Sequence, residues 1–95
     1  MILAHPDFDK PFKLQTDASN GGIGVVLLQQ THTIDWHPVI FISRSLTKTE
    51  QNYSTTEKEL LAIVWTFLRL HPYLHGSSIL VETAHQPLVG LIHKN

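Results

Sequence analysis

Asp17 stands at the end of the alternating stretch Phe12-Lys13-Leu14-Gln15-Thr16 and directly before Ala18-Ser19-Asn20-Gly21-Gly22. A carboxylate where a strand gives way to a turn can bond the turn's own backbone, or it can hold a cation for chemistry. Glu59 is the second candidate, lying early in the run TEKELLAIVWTFLRL and one residue before the apolar stripe that begins at Leu60. Two carboxylates brought to one edge suit Mg²⁺, a hard ion that takes oxygen ligands and keeps several waters. Paired ions of that kind clamp the attacking and leaving oxygens of a phosphodiester, so the chemistry in view is phosphoryl chemistry. The ordinary readings stand beside this one: aspartate before Ser-Asn-Gly favours a turn, and glutamate in the first turns of a helix is favoured by the helix dipole.

The weaker signals are read the same way. His85, in Thr83-Ala84-His85-Gln86-Pro87, is a candidate for contact with substrate or metal-bound water, with a polar turn as the alternative. His71 and His75 have the spacing of a helical zinc pair, but Pro72 interrupts the helix between them. The glycines of GGIG lie between two strands instead of opening a helix, which excludes a dinucleotide fingerprint. Ser43 to Tyr53 is rich in hydroxyls and amides that bond phosphate and sugar oxygens, or it is a solvated loop.

The elements that must position these residues follow from periodicity. Phe12, Leu14 and Thr16 alternate with Lys13, Gln15 and Asp17, the period of a strand. Asn20-Gly21-Gly22 tolerates the positive φ of a tight hairpin, so Ile23 to Leu28 is expected as an antiparallel second strand. Past a polar loop, Pro38 to Ile42 is expected as a third strand, paired with the second. After the polar segment Ser43 to Thr56, a helix is expected to open on the capping box Ser54/Glu57 and to close at His71-Pro72. It is apolar around most of its girth and is expected to be covered on more than one side. Ile79 to Thr83 then reads as a fourth strand, which a right-handed crossover makes parallel to the first, so that Asp17 faces residues 83–87. Leu88 to Asn95 is expected to begin another helix. Met1 to Pro11, with two prolines and two aspartates, reads as a lead-in or linker.

A chain of 95 residues with 42% hydrophobic content has the material for one core and hardly for two. Seven Lys+Arg against eight Asp+Glu give a net charge of -1, which excludes a globally basic nucleic-acid footprint. The absence of cysteine excludes disulfides and thiolate metal sites. No leader and no membrane span are read from the sequence, so an intracellular setting, cytoplasmic or nuclear, is expected.

Taken in order, FKLQTDASNGGIGVVLLQ, HPVIFISRSLTKTEQNYSTTEKELLAIVWTF, HPYLHG and ETAHQPL resemble the ribonuclease H domain of long-terminal-repeat retroelement polyproteins of the gypsy type, from about Leu3 to Leu91. The resemblance implies an α/β fold with a mixed sheet: an antiparallel three-strand meander, a helix, then a parallel fourth strand. It implies residues 12–95 as a partial domain that stops before the fifth strand and final helix. It also implies Mg²⁺- or Mn²⁺-dependent cleavage of the RNA strand of RNA/DNA hybrids, and an upstream polymerase domain in a polyprotein. Of the family's four carboxylates, the first falls on Asp17 and the second on Glu59, with Glu57 as the neighbouring alternative. The third falls on Ala84, which cannot ligate a metal, and the fourth belongs to a later segment. Ser19, Ser43, Asn52, Tyr53 and His85 are the candidate substrate contacts. The expected outcome is an absent or strongly impaired nuclease. The alternative is a domesticated, non-catalytic module for binding or homo-oligomerisation.

Overall fold

A computed structural model describes residues 3–74, 76–83 and 90–93. Along these the chain forms β1 (Phe12–Ala18), β2 (Gly22–Gln29), β3 (His37–Ser45), the short helix α1 (Lys48–Gln51), the long helix α2 (Thr55–Leu74), β4 (Ser78–Thr83) and β5 (Gly90–His93). The strands make one mixed sheet in the order β3-β2-β1-β4-β5. As expected, β1 to β3 are an antiparallel meander and β4 returns beside β1 in parallel, pairing Phe12 with Ile79 and Thr16 with Thr83.

Two expectations about the end of the sheet are corrected. The sheet does not stop at four strands, and residues 90–93 are a strand instead of part of a helix, antiparallel to β4 with Val81 opposite Gly90. Gly90 is a poor helix residue, whereas the free edge of β4 offers Leu91 and Ile92 a ladder.

The alternation of β1 buries Phe12, Leu14 and Thr16, and β2 buries Ile23, Val25 and Leu27 on the same side. α2 lies over this face, contacting β1 and β2. It meets the sheet through Glu59, Ala62 and Thr66, while Leu61, Ile63, Trp65 and Phe67 flank the seam, half-buried. Small residues on the seam let the helix axis approach the sheet closely, and the larger side chains wrap its sides. Leu60, Val64 and Leu68 point away and are 53%, 54% and 75% exposed, so among the described residues the helix is covered on one side only.

The boundaries of α2 are half as expected. Ser54 and Glu57 form the capping box, with Glu57 N–H donating to Ser54 Oγ at 3.2 Å and Ser54 N–H donating to Glu57 Oε1 at 2.9 Å. The helix does not close at His71-Pro72 but runs through Pro72 to Leu74. A proline in the last turn removes one backbone bond, and burial of the Leu74 side chain in the core offsets it.

α1 lies where the sequence predicts a loop. Thr47 and Glu50 form a second capping box, and Glu50 also takes Arg44 in a two-pronged pair at 2.9 and 2.8 Å. The Arg44 guanidinium, helped by the Thr47 N–H, holds the Glu50 carboxyl down at about 2. A carboxyl depressed in the fold stabilises it above the ordinary value of 4.5, and that contribution is lost as pH falls from there through about 2. The melting temperature of the wild type is therefore expected to fall more steeply than that of Glu50→Gln across this window. Parallel thermal-melt curves for the two proteins would count against the pair.

The β1–β2 connection differs from a two-residue hairpin. Ala18 pairs with Ile23, leaving the four-residue loop 19–22, a length usually built on a type I turn that needs no left-handed residue. Among the described residues the only positive φ is at Gly76. Ser19 closes the loop instead, its N–H donating to Gly22 O at 2.9 Å and its Oγ accepting from Gly22 N–H at 3.2 Å. Gly22 serves close packing, since a Cβ there would lie 3.1 Å from the carbonyl oxygen of Arg44.

Candidate functional site

The sheet face opposite α2 holds an open cleft of about 1020 Å³. Alternation decides which residues reach it: Thr16 turns under the helix, so Gln15 and Asp17 turn outward from β1. Pairing then extends the row, with Asp17 opposite Gly24 on β2 and Gly24 opposite Ser43 on β3. Gly24 carries no side chain, so position 24 itself adds nothing to the floor between Asp17 and Ser43. Phe41 lies beside that gap, 3.7 Å from where a Cβ on Gly24 would stand. Ser19, at the end of β1, completes an oxygen-rich rim.

The charges around the cleft are unevenly committed. Glu82 on β4 accepts from Gln15 Nε2 at 2.7 Å and pairs with Lys13 Nζ at 3.5 Å, while Lys13 lies 5.3 Å over the Trp36 ring. Arg44 is engaged by Glu50, which raises its already high pKa, and sits 5.7 Å over Trp65. Asp17 is exposed and forms no salt bridge among the described residues. The cleft thus presents the Asp17 carboxylate and the hydroxyls of Ser19, Ser43 and Ser45 at one end, a set that suits a cation or hydroxyl donors.

Of the residues predicted from sequence, Asp17, Ser19 and Ser43 come together around this cleft. Ser43 does so from β3, not from the loop in which it was expected. Glu59 is at the same pole of the domain, because α2 starts where β1 ends, but it is buried (5% exposed) on the seam beneath the helix and does not line the cleft. Asn52 caps α1 and Tyr53 follows it; both are exposed and lie outside the lining. Ala84 and His85 lie outside the described residues. Among the described residues no three acidic or histidine side chains gather into a metal-holding group. These residues do not fit a two-ion centre, which needs oxygen ligands around both ions.

Phe41, Arg44 and Glu82 also line the cleft and do not stand out as a group in the sequence. Their signal is present in part: extending the alternation of β3 past Ile42 puts Phe41 and Ser43 on one face, and pairing β4 with β1 puts Glu82 beside Gln15.

A family model described as the RNase H-like domain found in reverse transcriptase matches residues 7–95. The retrovirus-related Pol polyprotein from transposon opus of Drosophila melanogaster is 57% identical over 88 residues, covering 92% of this chain and 9% of the relative. The corresponding polyprotein from transposon gypsy of the same organism is 53% identical over 89 residues, covering 93% and 8%. The chain therefore spans less than a tenth of the length of these relatives. Among solved structures, the foamy viral protease-reverse transcriptase in complex with dsDNA superposes with a TM-score of 0.67 at 20% identity, covering 83% of this chain and 16% of that one. That likeness concerns the fold, and it agrees with the mixed sheet and helix found here. No helix among the described residues is long and apolar enough to cross a membrane. By the extent of the family match and the identity to the Pol polyproteins, this chain belongs to the RNase H-like domains found in reverse transcriptase.

Proposed function

We propose that this chain is a retroelement RNase H-like domain that retains a cleft for RNA/DNA hybrid but hydrolyses the RNA strand poorly or not at all. The observation that carries this reading is the residue after β4. The parallel ladder runs to Thr16 opposite Thr83, and the next residues in sequence are Asp17 and Ala84. The family resemblance puts a metal-ligating carboxylate at position 84, and the alanine that stands there supplies no oxygen. Asp17 is the carboxylate at that end of the cleft and Glu59 lies buried on the helix side of the sheet, so the attacking water and the leaving oxygen lack a full clamp and Mg²⁺ or Mn²⁺ is held weakly. The Pol polyprotein relatives support a polyprotein setting in which a polymerase domain precedes this one.

The test is cleavage of a labelled RNA/DNA hybrid in Mg²⁺ and in Mn²⁺. The chain itself is expected to cut little, and Ala84→Asp is expected to cut more, with the gain lost when Asp17→Asn is added. Efficient metal-dependent cutting by the unaltered chain, abolished by Asp17→Asn, would overturn the reading.

A second reading is favoured by the outer face of α2. Leu60, Val64 and Leu68 are spaced four residues apart and form one exposed apolar stripe. Such a stripe suits a non-catalytic, domesticated module that associates with a second copy of the chain. Light scattering is expected to show a mass above the monomer, and Val64→Glu, which places a charge in the middle of the stripe, is expected to reduce it. A monomer at high concentration would dismiss this reading.

A further inference from the structure

The segment before β1 carries Pro6 and Pro11 and reads as a linker, yet it is tied to the body of the domain along its length. Gln29, the last residue of β2, is fully buried. Its side-chain oxygen accepts from Asp7 N–H at 2.8 Å, and its amide nitrogen donates to Asp7 O at 2.6 Å and to Lys10 O at 3.1 Å. The segment it grips is a turn: Lys10 N–H donates to Asp7 O at 3.0 Å, and the Asp7 carboxylate accepts from Asp9 N–H at 3.0 Å. One side-chain amide thus reads both donor and acceptor groups of the turn, as a neighbouring strand would read a strand.

The rest of the segment is held by separate contacts. The Phe8 ring lies 5.9 Å from that of Phe12 and 5.7 Å from that of Tyr73, and Phe8 O accepts from Ser77 Oγ at 3.3 Å. Lys10 Nζ donates to Thr31 O at 2.9 Å. Leu3 N–H donates at 2.8 Å to Val39 O on β3, an edge strand that would otherwise present that carbonyl to solvent. All these anchors lie at the pole where β1 begins and β2 ends, away from Asp17.

We propose that residues 3–11 are a strap built into the domain, locked by Gln29, and not a flexible tether. Chain that precedes Leu3 then departs from a fixed point at the pole away from Asp17, and residues 3–11 add no linker motion between that point and the cleft. A buried amide that serves three backbone groups cannot be replaced by an apolar side chain without leaving those groups unpaired.

Amide hydrogen exchange on the 95-residue chain tests this. The amides of Leu3, Asp7 and Lys10 are expected to be protected at least about 100-fold over a free chain, in the range of structured elements. Gln29→Met is expected to raise exchange at Asp7 and Lys10 by about 10-fold or more while Val25, in the middle of β2, keeps its protection. Free-chain exchange at these amides in the unaltered protein would overturn the strap, and this measurement needs no variant to fold. Protection at Asp7 and Lys10 that is unchanged by Gln29→Met would overturn the lock.

Discussion

Replacing Phe12 with alanine is expected to lower the free energy of unfolding by about 3–5 kcal/mol, read as a shift of the urea midpoint at constant slope. Phe12 is fully buried at the start of β1, sits opposite Ile79 in the parallel ladder, and packs against the Phe8 ring. It therefore touches the sheet, the crossover strand and the strap at once, and no single neighbour can relax into the space it leaves. Domains of this size are stable by roughly 5–15 kcal/mol, so the loss would consume a large part of the margin. A midpoint change equivalent to less than about 1 kcal/mol would mean that the ring is not a keystone of the core.

The second large effect is expected at Ala62, on the seam between α2 and the sheet, where the side chain is 0% exposed. Ala62→Asp introduces a carboxylate into the apolar core that Ala62 shares with Leu14 and Val25. An uncompensated buried charge costs several kcal/mol, on the order of 4 here. Leu60→Asp, two residues away on the outer face, is the matched control, and in the monomer it is expected to cost much less, about 1 kcal/mol or below. Equal losses from the two substitutions in a thermal or chemical melt would contradict this orientation of the helix.

That orientation shows which parts of the fold were legible in the sequence. The meander was legible because each strand carries its own period-two signal and the connections are short. The start of α2 was legible because Ser54 and Glu57 form a local device that depends on four residues only. The inward face of α2 was not, because the helix is apolar around most of its girth and no single face stands out. The buried seam runs through Glu59, Ala62 and Thr66, of which the small Ala62 and Thr66 permit close approach to the sheet. The end of α2 was hidden for a related reason: proline is a local penalty, and burial of Leu74 is a tertiary gain that no local pattern displays. α1 was legible in principle, since Thr47-Lys48-Thr49-Glu50 is itself a capping-box sequence.

The candidate site divides along the same line. Asp17 is visible at a strand–turn junction and in a family motif, and Ser19 and Ser43 join it around the cleft. Glu59 was readable as an early helix carboxylate, but its place on the covered side of the sheet depends on helix rotation. The parts played by Phe41 and Glu82 require the register between strands far apart in sequence.

The parallel pairing of β1 with β4 also has a temporal consequence. Gln15 and Glu82, bonded across that seam, are 67 residues apart, whereas β1, β2 and β3 pair with immediate neighbours. During synthesis the meander can assemble as soon as it emerges, but the inner edge of β1 must wait for the whole of α2 and then β4. Closing so long a loop is slow, and an unpaired apolar strand edge is a site for wrong partners in the meantime. The nascent chain is thus most vulnerable to misassembly between the completion of β3 and the arrival of β4, and folding speed should be set by that one docking event.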